Sequence, residues 1–171
     1  MFEKILDSFR RRAIRKYAPA CPTSLLPLKE IHTAAVILDV EEDGFNECKR
    51  ELETFFKTYG IKTDFIFFDF RKLEKNELLL TSIQNTVLGK DINWYGMPRQ
   101  GTVVMADKSY DLLIYLRGRL DFTGYFTVRR MDAKFKVGIS EMPDNVLDLV
   151  VSGEDREETL YTIKEYLQKI L

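Results

Sequence analysis

Apolar residues at the start of the chain recur at helical spacing, at Phe2, Ile5, Leu6, Phe9, Ala13 and Tyr17. Arg10, Arg11, Arg12, Arg15 and Lys16 take up much of the remaining surface. The pattern predicts a basic amphipathic helix over residues 1–20, stopped by Pro19 and Pro22, because proline cannot continue the hydrogen-bond ladder. Ala34 to Val40 is an apolar run without alternation, as expected of a central strand covered on both faces. The helical period then returns, with Phe45, Cys48, Leu52, Phe55, Phe56 and Tyr59 on one stripe. Asp43 is placed to cap that helix and Gly60 to stop it. Ile61 to Phe70 follows as a second strand.

Residues 72–90 read as helical around Leu78 to Val87, and the glycines and proline of residues 89–101 read as a loop. Thr102 to Ala106 fits either a short strand or one helical turn. Beyond it come a strand at Leu112–Leu116, a helix at Phe122–Met131, strands at Phe135–Ile139 and Leu147–Val151, and a closing helix from Glu154 to Leu171. Strands alternating with helices predict a single α/β domain over residues 1–171, whose sheet-containing core spans 33–171. The expected architecture is a three-layer sandwich: a mainly parallel, Rossmann-like or flavodoxin-like sheet of about five strands, with an extra N-terminal amphipathic helix.

Charge changes the picture in two ways. A formal net charge of −1 argues against a specific nucleic-acid binder, which would carry a basic excess. The charge is nonetheless divided: residues 1–20 hold six basic and two acidic side chains, whereas residues 139–171 hold three basic and eight acidic ones. The two ends are thus expected to attract each other, and the basic helix also offers a surface for a homodimer. Cys21 and Cys48 stand alone, so neither a disulfide framework nor a zinc site is indicated, and a cytoplasmic location is expected. No apolar run reaches the roughly 20 residues needed to span a bilayer.

Ligands of open parallel sheets sit beyond the carboxyl ends of the strands. The side chains expected there are Asp39, Asp69, Arg117 and Arg119, a mixed acidic and basic set. The first strand runs into Asp39, Glu41, Glu42 and Asp43, where a phosphate site would need glycines, so nucleotide binding at that turn is disfavoured. Ser152 and Gly153 lead into Glu154, Asp155, Glu157 and Glu158 with the same consequence. His32, the single histidine, precedes its strand and lies at the wrong edge to serve a nucleophile. Trp94 and Tyr95 lie in a loop, where they either plug the side of the core or stack on a ligand. Tyr125 and Phe126 are expected to pack their helix, and Cys48 to be inert core. No cofactor or metal is called for.

Asp111-Leu112-Leu113-Ile114, Ala133 to Gly138, Trp94 to Pro98 and Asp148-Leu149-Val150-Val151 together resemble a family of small uncharacterised α/β proteins without an assigned activity. That resemblance implies a fold and no catalytic residues. Residues 110–139 are also locally similar to the first domain of heptosyltransferases, two-domain glycosyltransferases whose second domain holds the nucleotide-sugar donor. A chain of 171 residues has no room for that second domain, so this likeness implies a shared strand-helix-strand core. The expected function is a non-catalytic ligand-binding or protein-interaction module. The alternative is a small enzyme using the strand-end pocket for metal-assisted or glycosyltransferase-like chemistry.

Overall fold

Six consecutive residues of β1 (Thr33–Asp39) are buried, from Ala34 onward, and their alternating side chains divide the core in two. Ala34, Val36 and Leu38 face Phe45, Cys48, Leu52 and Phe56 of α2 (Phe45–Thr58) and Leu160, Ile163 and Leu167 of α4 (Arg156–Lys169). Ala35 and Ile37 face the other way, toward Tyr125 and Val128 of α3 (Phe122–Arg130). The result is helix, sheet, helix, as the alternation of elements predicted. The computed structural model describes residues 1–18, 22–72, 79–99, 101 and 107–169.

The sheet holds six strands among the described residues, all parallel, where about five were expected. β2 is Lys62–Asp69, β3 Thr86–Leu88, β4 Ser109–Tyr115, β5 Asp132–Gly138 and β6 Leu149–Val150. The spatial order is β3-β2-β1-β4-β5-β6, the order of Rossmann-like sheets, in which the direction of winding reverses between β1 and β4. The additional strand is β3, which corrects the helix expected around Leu78 to Val87. Residues 73–78 lie outside the described part, but Ile83–Asn85 forms only one tight turn before Thr86–Leu88 pairs with Phe67–Asp69. The Thr86 hydroxyl is buried and bonded to the Ser82 carbonyl and the Thr81 hydroxyl, so hydrogen bonding favours the edge strand there.

Two caps differ in outcome. Asp43 does not cap α2: Gly44 takes the N-cap in a left-handed conformation (φ 73°). Gly60 does stop it, at φ 68° just past Tyr59. The similar openings of β4 and the β6 segment acquire a physical meaning. Asp111 accepts the backbone amides of His32 and Thr33 and the ammonium of Lys134, and Asp148 accepts the Lys136 amide and the Thr23 hydroxyl. Each aspartate ties its strand entrance to a neighbouring strand.

α1 (Phe2–Tyr17) packs on α3 through Ala13, Ala18, Phe126 and Met97. It therefore lies across the sheet from α4, and although Ile14 and Met142 share one core cluster, no ion pair joins residues 1–18 to residues 139–169 among the described residues, so the expected attraction between the chain's ends is not realised as an ion pair. Arg10 also leaves the solvated face assigned to it. Its Nε donates to the Tyr95 carbonyl (2.9 Å) and its guanidinium lies 4.7 Å from the Phe122 ring centre. No helix among the described residues is long and apolar enough to cross a membrane.

Candidate functional site

The crevice between β1 and β4 is where this strand order would admit a ligand, and Asp39 and Arg117 meet there. Arg117 is fully buried. Its Nε donates to Asp39 Oδ2 (3.0 Å), its Nη1 and Nη2 to the two carboxylate oxygens of Asp121 (3.2 and 3.0 Å), and its plane lies 4.2 Å from the Phe68 ring centre. Burial works against the guanidinium charge, but the hydrogen bonds and attraction of Asp121 and Asp39 outweigh it and raise the Arg117 pKa. Tyr115 completes the cluster: Arg117 Nη1 approaches its phenol oxygen at 3.4 Å, and the phenol donates to the Arg119 carbonyl. Burial pushes that phenol up to about 12.

α3 closes over this cluster. Asp121 is its N-cap, accepting the Gly124 amide at 2.7 Å while holding Arg117. A side chain at position 124 would meet the Tyr115 oxygen at 2.1 Å and Arg117 Nη1 at 3.0 Å, so glycine is what lets the helix approach so closely. The crevice is consequently filled from within by a guanidinium, two carboxylates and a phenol.

The neighbouring strand ends are bridged too. Glu42 accepts the Gly118 amide (2.6 Å) and pairs with Arg156, linking the exits of β1 and β4 to the start of α4. Asp69 does not join Asp39 and Arg117 in one cluster. Arg71 grips both its oxygens at 2.8 and 2.7 Å and holds its carboxyl below the ordinary range, against the opposing effect of burial. Arg119 is exposed and contributes its carbonyl. A cavity of about 270 Å³ opens beside β4, β5 and β6, lined by Ser152, Gly153, Arg156 and Thr159. Two backbone amides at this turn are nonetheless taken by the chain's own acids, that of Glu154, just before α4, by Glu158 and that of Glu158 by Asp155. An incoming anion would have to displace them.

No group of three or more metal-ligating side chains converges among the described residues. His32 is exposed at the amino end of β1, as its place in the sequence predicted, and Cys48 is buried core whose thiol burial pushes up to about 11. Cys21 and Thr102 to Ala106 lie outside the described residues. Residues 3–170 match DUF6913, a family of unknown function. The chain belongs to that family. No curated protein and no solved structure matches it.

The DUF6913 chain keeps Trp94 away from the crevice. Asn93 Oδ1 accepts the amides of Tyr95 (3.2 Å) and Met97 (2.9 Å), and Thr123 donates to the Gly96 carbonyl, fixing the loop to α3. Met97 and Tyr95 turn inward, but Trp94 remains 57% exposed. It meets Phe9 at 5.0 Å and Phe2 at 6.2 Å between ring centres. Tyr125 and Phe126, in contrast, are buried packing residues, as expected. Sequence reasoning named Glu42 at the end of the first strand but missed Asp121, Arg71 and Arg156. Only Asp121 carried a readable signal, an aspartate immediately before a predicted helix.

Proposed function

We propose that this DUF6913 chain is a non-catalytic interaction module whose working surface is the flank of α1 together with Trp94. The observation that carries this reading is a contiguous aromatic cluster, Phe2, Phe9 and Trp94, that stays 44–68% exposed on elements otherwise fixed to the core. Isolated exposed apolar residues are ordinary, but rings gathered into one patch mark a surface that meets something. Supporting it, Asp39 and Arg117 at the strand ends serve each other, and Asp69 serves Arg71. A small enzyme built on that edge would have to break these pairs to recruit them.

The test is a thermal-shift screen with nucleotides, divalent metals and sugars. The expected result is no displacement of the melting curve. A ligand present at 100 times its Kd would add about 2.7 kcal/mol, or roughly 5–10 °C for a chain of this size. A shift of that order, abolished by Asp39→Asn or by Asp69→Asn, would return the function to the strand-end pocket.

A further inference from the structure

We infer that the α1–Trp94 face docks on an anionic lipid surface. The inference rests on the reading of that face as the working surface and names its partner. Phe2, Ile5 and Phe9 are 68%, 45% and 44% exposed and follow one another at three- and four-residue spacing, with Trp94 beside them. The helix cannot roll to hide this strip. Its opposite side is held by Ala13, Ala18, Met97 and Phe126, by the Arg10 bond to the Tyr95 carbonyl, and by Arg129 donating to the Ala18 carbonyl.

The charges of α1 select the partner. Arg12 and Lys16 continue the apolar strip one and two turns on, and Lys4, Arg11 and Arg15 line the adjoining outward face; all five are exposed. Lys4, Arg11, Arg12 and Arg15 form no ion pair among the described residues. Neither acid of the helix interrupts the strip: Asp7 lies beside Arg11 on the side turned away from Phe2, Ile5 and Phe9, and Glu3 lies one turn before Asp7 on that same side. An apolar strip edged by cations is the arrangement that lies in the interface of a negatively charged bilayer, with rings at the acyl boundary and ammonium or guanidinium groups among the headgroups.

A second copy fits less well. A two-fold contact through this face would set a helix carrying six basic and two acidic residues against its identical self. A nucleic acid would satisfy the cations and leave Phe2 and Ile5 in water.

The experiment uses the full chain with neutral phosphatidylcholine vesicles and with vesicles in which about a third of the lipid is phosphatidylglycerol. Binding is read by co-flotation and by the emission of Trp94, the chain's single tryptophan. The expected result is binding to the anionic vesicles alone, a blue shift of Trp94, and weakening by salt. Arg11→Ala/Arg12→Ala should lower the partition constant roughly 25-fold, about fivefold per charge, and Phe2→Ser/Phe9→Ser should remove binding with an unchanged melting curve. Indifference to anionic vesicles at low salt, or equal binding to neutral ones, overturns the inference. Concentration-dependent self-association or oligonucleotide binding lost in Phe2→Ser/Phe9→Ser, without vesicle binding, also overturns it but leaves the interaction module standing. A face silent in all three assays removes both.

Discussion

Replacing Arg117 by methionine tests whether the guanidinium at the strand-order reversal is a structural plug. The substitution removes the donor to Asp39 Oδ2, and Asp39 is only 3% exposed, so the carboxylate is left buried with one remaining bond, from the Glu41 amide at 3.0 Å to Oδ1. Asp121 is less affected, because it reaches solvent and keeps the Gly124 amide. Breaking a buried ion pair by removing one partner costs about 3–5 kcal/mol, most of it the penalty on the abandoned charge. Methionine refills much of the volume over Phe68, so the packing loss adds little. For 171 residues that cost corresponds to a fall in Tm of roughly 6–20 °C. Urea unfolding should show a lower midpoint with an unchanged m-value. The decisive comparison is Asp39→Asn/Arg117→Met, which removes both charges and should recover at least half the loss. If Arg117→Met costs under about 1 kcal/mol, or if the double variant is as unstable as the sum of the single ones, Arg117 is not held as described.

Other substitutions probe the same framework. Burial alone would raise the Asp111 carboxyl, but Lys134 and the amides of His32 and Thr33 overcome it and hold it at about 2 against an ordinary 3.8. Its folded pKa being the lower, Asp111 contributes about 2 kcal/mol above pH 4, lost as pH falls from 3.8 through 2. The stability deficit of Asp111→Asn, measured by urea unfolding, should therefore shrink over that window. Gly124→Ala should cost at least about 1–3 kcal/mol through its collision with Tyr115 and Arg117, whereas Gly118→Ala, whose nearest contact is Glu42 at 3.4 Å, should stay within about 0.5 kcal/mol in the same assay. In a Cys21→Ser chain, Cys48 should resist alkylation at pH 8 until denaturant is added. With its thiol near 11, only about one molecule in a thousand is thiolate even before access is considered.

The alternation of buried runs and amphipathic stripes carried most of the architecture, because β1, β2, β4 and β5 are central strands whose carboxyl halves are covered on both faces and so read as apolar runs. β3 escaped notice for the opposite reason: only three residues pair, at one edge, in a segment whose leucines suit either state. At the site, position alone brought Asp39 and Arg117 forward, since both end strands. That they neutralise each other was not legible, because their contact spans 78 residues and depends on which strands become neighbours. The Glu42–Arg156 bridge spans 114 residues and was hidden for the same reason. For Trp94, the loop glycines and prolines located the ring but not its exposure, which follows from Asn93 folding the loop so that Tyr95 and Met97 take the inward places.

The reversal of strand order poses a packing problem that every sheet of this order must meet. The connections after β1 and β4 leave on opposite faces, α2 to one side and α3 to the other, so the gap between the two strand ends has no helix of its own to cover it. In nucleotide-binding relatives of the architecture a cofactor occupies such a gap; in this chain Arg117 does, with Asp39 and Asp121 as its counter-ions. If a side chain has taken a ligand's place, the place should accept a ligand when the side chain is cut away. Arg117→Ala leaves Asp39, Asp121 and the Phe68 face around a space the size of a guanidinium, and methylguanidinium at non-denaturing concentration should bind there. At ten times its Kd the cation would restore about 1.4 kcal/mol, roughly 3–6 °C in Tm. Asp39→Asn/Arg117→Ala, lacking the inner carboxylate, should respond no more than the unaltered protein. Equal responses from both variants would mean that the cation acts on the surface and that the crevice is not organised around this charge.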